Sequence, residues 1–112
     1  MRILTLIILL STLLSCSTSE LTFRTIARFG NQMAREGLWR EAEFRWKQAL
    51  EKDPGNFMLL NNLAIAAEVR GDREEAKRLY EAALKLNPDS SHIKRNYEKF
   101  KRFIDSEPAG DR

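Results

Sequence analysis

The thiol and the imidazole of this sequence, the usual soft metal ligands, belong to Cys16 and His92, each the single residue of its type. A thiolate is a strong nucleophile, and an imidazole is the usual base that activates one. No Ser-His or Cys-His motif accompanies them, and one cysteine cannot form an intramolecular disulfide. A zinc site would need several carboxylates to converge, and no ligand spacing indicates one. The sequence therefore predicts no catalytic centre, no metal site and no cofactor.

The segment before Cys16 is positively charged at its start and apolar afterwards. Arg2 precedes a run from Ile3 to Leu14 that only three hydroxyl side chains interrupt. As a helix this run would be about 18 Å long, well short of the roughly 30 Å hydrocarbon core of a bilayer. These features predict a secretory signal peptide rather than a membrane-spanning helix.

The end of this segment, Leu13-Leu14-Ser15-Cys16, resembles the lipobox of bacterial lipoproteins. The resemblance implies that Cys16 is acylated, with palmitate-type chains, and becomes the new N-terminus after cleavage. Several acyl chains hold a protein on a membrane permanently. Ser17, where an Asp would signal retention, favours the outer membrane facing the periplasm. The alternatives are the inner membrane or a Gram-positive cell surface, and an ordinary secretory signal that happens to contain a cysteine.

The rest of the chain repeats itself with a period of 34 residues. Glycine favours the left-handed conformation that ends a helix, and proline stops the next helix, so each period predicts a pair of helices. Small residues between the two helices let them approach closely. The residues that recur are Gly37, Glu41, Ala42, Ala49, Leu50 and Pro54, matched by Gly71, Glu75, Ala76, Ala83, Leu84 and Pro88.

This unit resembles the tetratricopeptide repeat (TPR). The resemblance implies an all-α fold, a TPR-like α-solenoid of two helix-turn-helix repeats plus a C-terminal capping helix, with Trp46 and Tyr80 in its core. The pattern residues of the first repeat are Ile26, Phe29, Gly30, Met33, Ala42, Trp46, Ala49 and Pro54. Those of the second are Leu60, Leu63, Ala64, Ala67, Ala76, Tyr80, Ala83 and Pro88.

After the second repeat, Ile93, Tyr97, Phe100 and Ile104 have helical spacing among basic residues, which predicts the capping helix that a repeat array needs. The expected organisation is a cleaved signal peptide at 1–15, a lipidated N-terminus and tether at 16–22, repeats at 23–56 and 57–90, the capping helix at 91–105 and a disordered tail at 106–112.

The charged residues, 31% of the chain with a net charge of +3, are typical of a solvated helical surface and do not indicate nucleic acid. TPR arrays line a concave groove with the first helix of each repeat, and the groove binds a peptide or helix of another protein. Projected onto this chain, the resemblance places these residues in the groove: Arg24, Arg28, Asn31, Arg35, Asn61, Asn62, Ile65, Arg95 and Lys99. The basic residues among them are equally typical of an ordinary solvent-exposed surface.

The leading hypothesis is a lipid-anchored scaffold or adaptor that binds a protein or peptide in the bacterial cell envelope. The architecture is similar to that of small TPR lipoproteins of pilus, secretion or outer-membrane assembly. A self-assembling structural lipoprotein is the alternative, because two repeats are few for independent stability. A cell-envelope enzyme is a more distant alternative, since five helices in an array offer no deep pocket.

Overall fold

The computed structural model describes residues 22–106, and the predictions for Cys16, the signal peptide and residues 107–112 lie outside that part. Within it the regular structure is helical: α1 (22–35), α2 (Trp39–Lys52), α3 (Phe57–Arg70), α4 (Arg73–Leu86) and α5 (Ser91–Ser106). Two helix-turn-helix pairs are thus followed by one helix, and the expected all-α repeat fold is confirmed. α5 continues through Ser106, whose hydroxyl donates to the carbonyl of Phe103 at 2.8 Å, one residue beyond the expected end.

Both helix pairs turn at a glycine. Gly37 and Gly71 have φ angles of 78° and 80°, a left-handed conformation that side chains with a Cβ disfavour. In each turn the amide of the next residue donates to the carbonyl five residues back at 2.9 Å, which closes the end of the first helix. The glycine period therefore fixes where α1 and α3 end.

Side chains in the turns start three of the helices. Asn56, Asp72 and Ser90 each accept a hydrogen bond from the backbone amide three residues later, at 3.1, 3.2 and 3.4 Å. Such caps satisfy amides that have no partner inside the helix, and each stabilises a helix by about 1 kcal/mol. The starts of α3, α4 and α5 are therefore encoded locally.

The chain divides after Asp53 into two compact units, called unit 1 (α1 and α2) and unit 2 (α3 to α5). In unit 1 the helices meet at Gly30, where a Cβ would lie 2.7 Å from two ring atoms of Trp46 and 3.3 Å from the Ala42 carbonyl. The Trp46 ring is buried, and its Nε1 donates to Oδ1 of Asn31 at 2.9 Å. Trp46 is therefore a packing residue, as expected.

Unit 2 holds α5 against α4 through a cluster of three aromatic rings. The ring of Tyr80 is fully buried and lies 5.5 Å from the ring of Tyr97 and 5.7 Å from that of Phe100, between centroids. Phe100 is also buried, and small buried residues let α3 and α4 approach closely. These small residues are Ala64, Ala67, Ala76 and Ala83.

The two tyrosines of the aromatic cluster make stability fall in alkali. Tyr80 donates to Glu68, and Tyr97 donates to Glu81 at 2.8 Å. Burial, aided by these carboxylates, raises the pKa of Tyr80, and the same causes raise the pKa of Tyr97 to about 12 from its ordinary 10. Since folded Tyr97 keeps its proton to higher pH than the unfolded chain does, the stability that it contributes is complete below about pH 10 and is lost as pH rises through about 12. Tyr80 acts in the same direction, at higher pH.

Urea titrations at a series of alkaline pH values measure this loss. We expect Tyr97→Phe to show a shallower fall of unfolding free energy between about pH 10 and 12 than the native protein. An identical fall in both proteins would contradict the assignment.

Phe29 differs from its counterpart in the second repeat. Its side chain is 43% exposed, whereas that of Leu63, one repeat later, is 4% exposed. In unit 1, α2 packs on the face of α1 that carries Gly30, and Phe29 lies at the edge of that face, against the guanidinium of Arg45. The repeat pattern placed Phe29 among the packing residues, but within the described chain this side chain is half in solvent.

Candidate functional site

In unit 2, α3 and α5 contact each other and contribute side chains to one surface. Nδ2 of Asn96 on α5 donates to Oδ1 of Asn61 on α3 at 3.0 Å. Nδ2 of Asn61 donates to Oδ1 of Asn62 at 3.4 Å, and His92 lies 3.4 Å from Asn96. This chain of amides joins the first halves of the two helices and gives that end of the surface a polar character.

Asn61 requires a correction. The repeat pattern placed it on the groove surface, but its side chain is fully buried and cannot contact a bound peptide. A buried amide is stable only when its polar atoms are hydrogen-bonded, and Asn61 meets that condition through Asn62 and Asn96. Its role is to fix the position of Asn96, which is half-buried at the surface.

Towards the other end of the same helices lies a cleft of about 770 Å³. Phe100, which is 2% exposed, contributes the buried part of its wall, while Val69 and Phe103 are 53% and 56% exposed. We call this the α3–α5 cleft. Its complete lining is Glu68, Val69, Arg70, Gly71, Arg73, Glu74, Lys99, Phe100 and Phe103.

Charged side chains surround the apolar wall of the α3–α5 cleft. Arg70, Arg73 and Lys99 are basic, and Glu68 and Glu74 are acidic. Glu68 accepts a hydrogen bond from Tyr80 in the aromatic cluster, so one of the two carboxylates is committed to the core. Arg70 forms an ion pair with Asp72 at 3.4 Å. The cleft therefore combines an apolar wall with a rim of mixed charge.

Of the nine residues predicted to line the groove, Lys99 lines this cleft, and the two exposed apolar residues of the cleft were not predicted. Val69 lies four residues after Ile65, and Phe103 lies four residues after Lys99. Residues four apart share a face of a helix, so continuing the predicted stripe by one turn would have found both. The signal was present in the spacing.

The other predicted groove residues fall into two sets. In unit 2, Asn62 and Ile65 are half-buried on α3, and Arg95 is exposed on α5. In unit 1 the predicted residues lie on α1, where Asn31 accepts the hydrogen bond from Trp46. The exposed basic residues of α1 are Arg24, Arg28 and Arg35. The predicted groove residues thus lie on α3 and α5 in unit 2 and on α1 in unit 1.

The described residues include neither a cluster of metal ligands nor a helix that could span a membrane. Between residues 22 and 106, no three or more His, Cys, Asp and Glu side chains are grouped so that they could hold a metal ion. None of the helices in that part of the chain is long and apolar enough to cross a membrane.

Comparisons with known proteins identify the second repeat. The family model described as tetratricopeptide repeat matches residues 57–90. Over 74 residues the chain is 33% identical to protein O-mannosyl-transferase TMTC1 of Mus musculus, a match that spans 66% of this chain and 8% of that protein. A solved structure, the first TPR of Spaghetti (RPAP3) bound to the HSP90 peptide SRMEEVD, has 19% identity and a TM-score of 0.43, covering 75% of this chain and 94% of that one. The chain therefore contains a tetratricopeptide repeat, formed by α3 and α4.

Proposed function

We propose that this protein is a non-catalytic, lipid-anchored adaptor of the bacterial cell envelope that holds a segment of a partner protein against α3 and α5. The observation that carries the proposal is the α3–α5 cleft, about 770 Å³ with two exposed apolar side chains in its wall. Its volume is within the roughly 300–1,000 Å³ typical of ligand pockets. Exposed apolar side chains in a concave site, on a repeat of a peptide-binding class, favour a protein ligand.

The groove in unit 2 suits an extended segment with an apolar side chain flanked by polar or acidic residues. Val69 and Phe103 would contact the apolar side chain, and Lys99 on the rim attracts a carboxylate. At the other end, the amides of Asn62 and Asn96 suit the backbone of an extended chain, which needs both donors and acceptors. Ile65 lies between the two ends.

The membrane anchor is part of the same proposal. The lipobox pattern ending at Cys16 supports acylation there, with the outer membrane facing the periplasm as the favoured location. Expression of the full chain in a Gram-negative host with an alkyne-labelled fatty acid tests it. We expect label on the native protein and none on Cys16→Ser, with the native protein in the membrane fraction. Label on both proteins, or on neither, would refute the anchor.

Truncating Phe103 should weaken partner binding without unfolding the domain. Residues that anchor an interface contribute about 1–2 kcal/mol or more, so Phe103→Ala should raise Kd about five- to thirtyfold. A benzophenone side chain installed at Ile65 crosslinks the bound partner in intact cells and so identifies it. Titration of the protein with the identified segment then gives Kd.

The matched control is Leu86→Ala, an apolar side chain of unit 2 that is 49% exposed and does not line the cleft. Binding should be unchanged in that variant. Equal binding by both variants would remove the cleft from the site. Crosslinks between copies of this protein alone would favour the alternative of a self-assembling lipoprotein.

A further inference from the structure

Unit 1 exposes an aromatic edge formed by Phe29, Phe44 and Arg45. The two rings are 43% and 57% exposed, and the guanidinium carbon of Arg45 lies 5.3 Å and 5.5 Å from their centroids. Arg45 also donates to Gln48 at 3.1 Å, which fixes the guanidinium between the rings. Two exposed rings held against one guanidinium form an apolar patch of the kind at which proteins contact a partner or a membrane.

The charge of α1 indicates what that partner carries. Within residues 22–35 the helix has three arginines and no acidic residue. Arg24, Arg28 and Arg35 are exposed, and their spacings of four and seven residues place them on one stripe. Phe29 lies about 100° around the helix from Arg28. The aromatic edge therefore borders a basic stripe, a combination typical of helices that lie in the interface of an anionic bilayer.

The length of chain before α1 brings this edge within reach of a membrane. From Cys16 to residue 22 there are six residues, which span at most about 20 Å when fully extended. Phe29 lies a further seven residues along α1, or about 10 Å. A domain tethered this closely keeps its first helix near the bilayer surface, whatever its orientation.

We propose that unit 1 docks on the lipid surface through the aromatic edge. Phe29 and Phe44 enter the boundary between headgroups and acyl chains, and the arginines of α1 contact anionic phosphates. The inference rests on the proposed anchor at Cys16, and it assigns the basic stripe of α1 to lipid rather than to a peptide carboxylate. Docking would fix the orientation of unit 1 on the membrane, which a lipid on Cys16 alone would not do.

Fluorescence of the full, acylated protein in vesicles tests the docking. An environment-sensitive nitrobenzoxadiazole label is attached to Phe44→Cys or, as a control, to Lys77→Cys, an exposed position in unit 2. In vesicles of phosphatidylcholine and phosphatidylglycerol we expect a blue shift and quenching by doxyl-labelled lipid at position 44 and neither at position 77. In phosphatidylcholine alone the effect at position 44 should be smaller by at least about half.

A charge reversal separates lipid contact from other causes of the shift. Arg28→Glu with Arg35→Glu should lower the response at position 44 in anionic vesicles to the level seen in phosphatidylcholine. The control pair, Lys94→Glu with Arg95→Glu on α5, should leave it unchanged. Circular dichroism of each variant verifies that the helices persist.

Flotation of the vesicles distinguishes the two ways in which the inference can fail. Protein that floats with vesicles but shows a solvent-like label at position 44 overturns the docking and leaves the anchor standing. Protein that does not float overturns both. A blue shift that appears only when an acidic peptide is added to phosphatidylcholine vesicles overturns the lipid assignment of the basic stripe in favour of a peptide.

Discussion

Phe100→Ala is expected to lower the free energy of unfolding by about 3–5 kcal/mol, the usual effect of removing a buried phenylalanine. The Phe100 side chain is 2% exposed, and its ring contacts both Tyr80 and Tyr97. These contacts attach α5 to the rest of unit 2, so their loss should expose the aromatic cluster as well as leave a cavity. Urea denaturation followed by far-ultraviolet circular dichroism measures the change.

Because a domain of this size is stable by only about 5–15 kcal/mol, the alanine variant can fall below the folding threshold. Phe100→Leu keeps the site apolar and should cost less than about 1.5 kcal/mol. Phe103→Ala is the matched control, since Phe103 is three residues away on α5 and 56% exposed. It should change stability by less than about 1 kcal/mol. Equal losses for Phe100→Ala and Phe103→Ala would refute the packing of α5 described here.

Gly30→Ala is expected to destabilise the protein by up to about 2 kcal/mol, although alanine is the better helix former. The new Cβ would lie 2.7 Å from the Trp46 ring and 3.3 Å from the Ala42 carbonyl. Helix propensity favours the change by about 1 kcal/mol, but overpacking a buried interface costs about 1–3 kcal/mol. Because the Trp46 ring is buried, it cannot swing away into solvent. Thermal unfolding of the full chain shows whether the substitution lowers or raises the stability.

The prediction for Gly30→Ala has a control variant and a rescuing second substitution. Gly55→Ala is the control, because a Cβ at Gly55 meets no atom within 4 Å. The second repeat supplies a rescue, since Ala64 and Tyr80 occupy the positions of Gly30 and Trp46 there. Adding Trp46→Tyr to Gly30→Ala should recover part of the loss, as a positive coupling in a double-mutant cycle. A stabilising Gly30→Ala, or strict additivity of the two changes, would contradict the close approach of α1 and α2.

The two units would have different functions. Unit 2 carries the α3–α5 cleft and would bind the partner, and unit 1 carries the aromatic edge and would meet the membrane. The variants that test them lie in separate units, so Phe103→Ala should leave vesicle docking unchanged and Arg28→Glu with Arg35→Glu should leave partner capture unchanged. Independent effects are expected for changes that share no contacts.

The sequence by itself determined the elements of this fold. Glycines at 37 and 71 need the left-handed conformation, prolines at 54 and 88 cannot continue a helix, and alanines recur wherever two helices approach closely. These are local requirements of backbone and side-chain volume, and the period of 34 residues repeats them. The helix pairs followed from them, and the resemblance to the tetratricopeptide repeat implied the burial of Trp46 and Tyr80.

The tertiary structure alone decided which residues of each stripe meet solvent. Asn61 is buried because Asn96 on α5 supplies a hydrogen bond, and its neighbours in the sequence contain no sign of that partner. The α3–α5 cleft exists because α5 packs through Phe100 and leaves Phe103 outside. The exposure of Phe29 likewise depends on which face of α1 receives α2. Burial is a property of the neighbours that a side chain meets in space, and helical periodicity specifies a face without specifying what covers it.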